Sequence, residues 1–163
     1  MRSKPLRHPG EAARSLRRAL ELNPNFALAH ALLADTLALQ GVHQEAVDSA
    51  EHALRLSPRD RLVGTSASLA MAQVNFAAGR YPECVTWARS MIEKSSGHTA
   101  GHFFLAAALA LAGDLTAAVE ARDTLLRLRP EFSLAWMTEN MPPAGQMAER
   151  IREGLRKVGV PEK

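Results

Sequence analysis

Small and apolar residues recur along this chain every three to four positions, and glycine or proline interrupts them at regular intervals. From Gly41 to Pro58 they fall at Ala46, Val47, Ala50, Ala53, Leu54 and Leu56, which is one face of a helix. The stretch GDLTAAVEARDTLLRLRP, from Gly113 to Pro130, repeats the layout. A looser copy, GRYPECVTWARSMIEKSS, runs from Gly79 to Ser96, and a truncated one, HPGEAARSLRRALELNP, ends at Pro24. Gly41 and Gly113 can take positive φ just past a helix end. Pro58 and Pro130 stop the helix and open the next unit.

The closing positions Pro24, Pro58, Ser96 and Pro130 stand 34, 38 and 34 residues apart. A helix–turn–helix unit of about 34 residues is the tetratricopeptide period. The chain resembles that family along nearly its whole length. In the first full repeat His30 stands at the family's usual aromatic position. Leu33, Ala34 and Leu37 follow on the inner face, then Gly41, then Ala46, Ala50 and Ala53. The third repeat places His102, Leu105, Ala106, Leu109, Gly113, Ala118, Arg122 and Leu125 in the same order, and the second is looser. The resemblance implies an all-α solenoid of antiparallel helix pairs. Alanines let paired helices approach, and no repeat buries its apolar face alone, so neighbours must stack.

The expected organisation is a disordered basic arm over 1–8 and an array over 9–140. The array divides into a half repeat at 9–24, full repeats at about 25–58, 59–96 and 97–130, and a partial repeat at 131–140. Two readings of the half repeat stay open: an internal start in a longer protein, or an orphan helix that serves as a cap. The second repeat has four extra residues, about one helical turn, so it can grow without rotating its buried face. Asp60 is its expected N-cap, and Pro82 sits in the first turn of the following helix. Met141-Pro142-Pro143-Ala144-Gly145 breaks the pattern. A C-terminal capping helix is expected over 144–158. Its seam is Met147, Ile151, Leu155 and Val158, and it reads as a lid on the open end of the solenoid.

The tail supports a second resemblance. RPEFSLAWMTENMPP followed by ERIREGLRKVGVPE is similar to the ending of repeat arrays attached to bacterial class III adenylate/guanylate cyclases. Pro130, Phe132, Ser133, Trp136, Pro142, Glu153, Gly154, Leu155, Arg156, Gly159 and Pro161 carry it. It covers only the non-catalytic part of such proteins, so it implies a regulatory accessory role and no cyclase activity.

Composition narrows the function. The 163 residues are 47% hydrophobic and 23% charged, as in a globular domain with a real core. The net charge is +3. Residues 1–24 hold six basic against two acidic side chains, a net +4, while aromatics for base stacking are missing there. A solvated helix face is expected, with no nucleic-acid partner. Cys84 is alone, which rules out an internal disulfide, and it stands at a small-residue packing position. The apolar run from Phe103 to Ala112 is half of a membrane span. No membrane association and a cytoplasmic location are the defaults.

No phosphate loop, dinucleotide fingerprint, HExxH, paired CxxC or GxSxG is present. His98 and His102 are four apart without a third ligand, so neither metal nor cofactor is expected, and His30 reads as a packed histidine. The chain is therefore expected not to be an enzyme. In tetratricopeptide arrays the first helix of each repeat lines a concave groove. By register the resemblance assigns that groove to Leu28, Ala31, Asp35 and Leu39, then Leu69, Gln73 and Phe76, then Phe103 and Ala107. Chaperone-binding members clamp a terminal carboxylate with lysine, asparagine and arginine. Ala31, Leu69 and Phe103 stand at such places here, so that clamp is missing. The expected function is a non-catalytic, protein-binding regulatory scaffold. Its partner would be a protein or peptide, or a covalently preceding domain. The alternative is a structural spacer or homodimerisation module acting through the tail or first helix.

Overall fold

A computed structural model of the chain describes residues 9–140 and 145–163. The expected arm at 1–8 and the break at Met141–Ala144 lie outside the described residues. Within them the secondary structure is entirely helical: α1 (Pro9–Leu22), α2 (Ala27–Leu39), α3 (His43–Leu56), α4 (Arg61–Ala77), α5 (Tyr81–Lys94), α6 (Thr99–Ala112), α7 (Leu115–Leu128), α8 (Leu134–Asn140) and α9 (Gly145–Lys157). The pairs α2–α3, α4–α5 and α6–α7 are antiparallel hairpins, and each first helix also packs on the second helix of the preceding unit.

Backbone chemistry at the turns explains the hairpins. Gly41, Gly79 and Gly113 have φ of 77°, 74° and 92°. That left-handed conformation lets the chain reverse, and a side chain there would strain it. Ala46, Ala50 and Ala53 of α3 are fully buried, as are Cys84, Ala88 and Met91 of α5. Small side chains at all of these positions except Met91 let the second helix settle against its partners.

The four extra residues of the second repeat lengthen its first helix. α4 has 17 residues, against 13 in α2 and 14 in α6. Asp60 caps it by accepting from the Leu62 and Val63 amides at 2.8 and 3.0 Å. The added turn docks on the end of α5. Arg61 Nε donates to Lys94 O at 3.0 Å, and the Lys94 stem lies where a Cβ on Gly64 would be.

α4 also joins two hydrophobic clusters. Val63, Ala67, Ala70, Met71 and Val74 pack with α2 and α3, while Ala72 and Phe76 pack with α5, α6 and the tail. Trp87 touches both clusters.

The tail is built into the second cluster. Met147, Ile151, Leu155 and Val158 are buried there with Val160, Phe132, Leu134 and Met137. α9 caps the array by lying along α6, on the side of the first helices. The segment after it folds back on α8, where the Leu134 and Ala135 amides donate to Pro161 O and Glu162 O at 2.9 and 3.0 Å. These bonds satisfy the first-turn donors of a helix only seven residues long.

Candidate functional site

α2, α4 and α6 form the inner row of the solenoid, and their inward residues recur with the turn glycines. Asp35, Gln73 and Ala107 each stand six residues before Gly41, Gly79 and Gly113 respectively. The first two meet: Gln73 Nε2 donates to Asp35 Oδ1 at 3.0 Å. The third meets α9 instead. A Cβ on Gly154 would sit 2.7 Å from Ala107 O and 2.9 Å from Ala107 Cα, so the two backbones touch with no side chain between them.

The nine expected groove residues therefore divide. Leu28, Asp35, Leu39 and Leu69 are half-buried on α2 and α4. Ala31, Gln73, Phe76, Phe103 and Ala107 are buried. Phe76 packs edge-on against Tyr81 and Phe104, with centroids 5.4 and 5.6 Å away. Phe103 stacks on Phe132 at 6.1 Å. Ala107 lies under Gly154, and Ala31 belongs to the N-terminal cluster. Gln73 is buried as a side chain, but its amide edge reaches Asp35.

Polar contacts hold α9 at both ends. Arg150 Nη1 donates to Ala77 O, the last carbonyl of α4, at 2.9 Å. Arg122 Nη1 donates to Val158 O at 2.5 Å. Each guanidinium occupies a helix C-terminus, where free carbonyls and the helix dipole favour a cation. The start of α9 reaches a cleft lined by Leu39, Gly41, Ala77, Met147 and Arg150. The concave face is thus filled along α6, while α2 and α4 pack directly on each other and leave Leu28, Asp35, Leu39 and Leu69 half-buried.

The electrostatics of the open half are unusual for so apolar a surface. Asp35 is the sole carboxylate of α2, α4 and α6. Burial pushes its carboxyl up to about 6, against the lowering effect of the Gln73 hydrogen bond. Gln73 Oε1 is buried and has no hydrogen-bond partner among the described residues.

Other candidate side chains have structural contacts. Nε2 of His30 lies 2.8 Å from Pro24 O, and Nε2 of His102 lies 2.6 Å from Ser96 O. The two histidines thus make the same contact, each with a carbonyl six residues earlier. Cys84 is buried in the core, and burial pushes its thiol up to about 12. Arg17 of α1 grips Glu45 of α3 through both carboxylate oxygens at 2.8 and 3.0 Å, and Arg18 pairs with Glu21. Among the described residues no helix is long and apolar enough to cross a membrane.

Sequence reasoning gave α9 as a lid on the open end of the solenoid, but not that it would lie along α6 and cover Ala107. Its signal was Gly154, a glycine inside a helix of strong formers and beside the apolar seam, which marks close backbone approach.

This architecture is a tetratricopeptide-type solenoid. A family model described as tetratricopeptide repeat matches residues 6–61. Solved structures of MamA share the fold. The 41-to-end form from Desulfovibrio magneticus RS-1 is 19% identical, with a TM-score of 0.64 over 91% of this chain and 85% of that one. A MamA RS-1 ArsTM double mutant is 20% identical, with a TM-score of 0.64 over 92% and 83% of the respective chains. No curated protein matches the chain.

Proposed function

We propose that the protein is a non-catalytic scaffold that binds a protein segment on the open half of its concave face. The observation that carries this reading is the half-buried row Leu28, Asp35, Leu39 and Leu69 on the facing helices α2 and α4. Each leucine contributes about 1.5–3 kcal/mol when a partner covers it fully. Phe103 has no part in the contact, because Phe132 and the tail already cover it.

The scaffold acts as a cytoplasmic signalling accessory module, like the arrays attached to class III nucleotide cyclases. This finer reading rests on the tail resemblance. In support, several of its residues form one packing unit: Phe132 lies 5.6 Å from Trp136, Leu134 N–H bonds Pro161 O, and Leu155 is fully buried. A preceding domain on the same polypeptide or a separate protein would serve equally as the regulated element.

Affinity capture from source cells, read by mass spectrometry, tests the scaffold. Leu28→Asp combined with Leu69→Asp should abolish partner recovery while circular dichroism keeps its helical amplitude. Undiminished recovery with that double variant rejects the open face as the contact surface.

A second reading is homodimerisation through the N-terminal edge, and one observation favours it. Leu22, Phe26 and Leu32 are 74%, 45% and 40% exposed. Ala70 and Phe104 share the register of Leu32 and are buried. Sedimentation that stays monomeric at high concentration counts against this edge as a self-interface.

A further inference from the structure

We propose that the Asp35–Gln73 pair is a docking point for an arginine or lysine side chain on an amphipathic segment of a partner protein. The proposal rests on the scaffold reading above and names the chemistry of its partner.

Two independent observations meet at this point. Asp35 is the one carboxylate on the three first helices, and its hydrogen-bond partner is the neutral Gln73 amide. No cation of the described chain offsets its burial, which is why its carboxyl sits near 6 rather than low. Gln73, only 5% exposed, spends its Nε2 on Asp35 and leaves Oε1 unpartnered. A buried acceptor without a donor is unfavourable. The arrangement is therefore a half-buried carboxylate held by one neutral amide donor, with a buried amide oxygen on the same side chain left without a donor.

A guanidinium presents five N–H groups in a planar fork, and an ammonium presents three. Either can bond the free lone pairs of the half-buried Asp35 carboxylate, and charge-assisted bonds of this kind are the stronger class. Leu28, Leu39 and Leu69 border the same open surface, so the residues flanking the cation should be apolar.

The test selects a random dodecapeptide library on the immobilised full chain. Enriched peptides are then measured by calorimetry against wild type, Asp35→Asn, Gln73→Leu and the Leu28→Asp/Leu69→Asp double variant. The expected result is one recurring arginine or lysine among apolar residues. Affinity should fall at least tenfold with Asp35→Asn, and equally when the peptide arginine is replaced by citrulline. Unfolding curves verify that each variant is folded. Peptides that lose affinity on the double variant but bind Asp35→Asn as well as wild type overturn the cation site and leave the scaffold reading intact. Such a result would mean that the acid and amide pair only with each other. A library that yields no binder overturns both readings. Sedimentation showing an Asp35-dependent dimer without peptide assigns the pair to a second copy and overturns the partner-protein proposal.

Discussion

The two halves of the concave face start from the same register and end in opposite states. Between α2 and α4, Asp35 and Gln73 bond each other among half-buried leucines. Along α6, the equivalent Ala107 is pressed against the backbone of Gly154 and its surroundings are closed. Repeat position sets the direction in which a side chain points. What lies in that direction is set by a helix more than forty residues later in the chain. A groove assigned from register is therefore only half a statement about accessibility.

The largest effect should appear where α9 fills the groove. Leu155→Ala removes a fully buried side chain and should destabilise the fold by about 2–5 kcal/mol in urea unfolding. Leu69→Ala on the open half should change stability far less, because that side chain is only half-buried. Equal losses from the two leucines would mean that the halves do not differ.

Gly154→Ala sharpens the same contrast at a smaller scale. Alanine is the better helix former by about 1 kcal/mol, yet its Cβ would enter the Ala107 backbone. Overpacking of this kind is unfavourable by about 1–3 kcal/mol. The variant should be less stable than wild type, and hydrogen exchange should quicken in α9 first. A stabilised Gly154→Ala protein would show that α9 does not sit tightly on α6.

In the open half the sign reverses. The folded Asp35 carboxyl, at about 6, lies above its ordinary value of 3.8. The folded state therefore keeps a proton that the unfolded chain releases between those values. Its stabilising contribution is complete below about pH 3.8 and is lost as pH rises through about 6. Above that, the buried charge opposes folding by at most about 3 kcal/mol. Asp35→Asn should thus be more stable than wild type at pH 7, by about 1–2 kcal/mol once the burial of the new amide is allowed for. The difference should shrink towards pH 4. A difference that is constant across that range would remove the buried-charge account of this half.

The smallest expected change comes from the cap. Asp60→Ala removes two hydrogen bonds to the first turn of α4 and should destabilise by about 1 kcal/mol. Because α4 serves both clusters, the loss should appear as one cooperative transition.

Much of this architecture was legible from local chemistry. The turn glycines, the Asp60 cap, the buried alanine faces and the added turn of α4 follow from backbone rules over a few residues. Asp35 facing Gln73 was also within reach, since both precede a turn glycine by the same interval. The covering of Phe76 and Phe103 was not, because it depends on aromatic neighbours contributed by α5, α6 and the tail. The docking of α9 fell between these cases. Its seam and Gly154 are visible in the sequence, but the surface they meet is defined only by the stacked array.

The most direct test of the divided groove is solvent paramagnetic relaxation of methyl groups in the full chain, measured by NMR with an inert gadolinium chelate. Strong enhancement is predicted for the Leu28, Leu39 and Leu69 methyls, and weak enhancement for those of Ala107, Ile151 and Leu155. Strong enhancement at Ala107 and along the α9 seam would contradict the account, because the groove would then be open throughout.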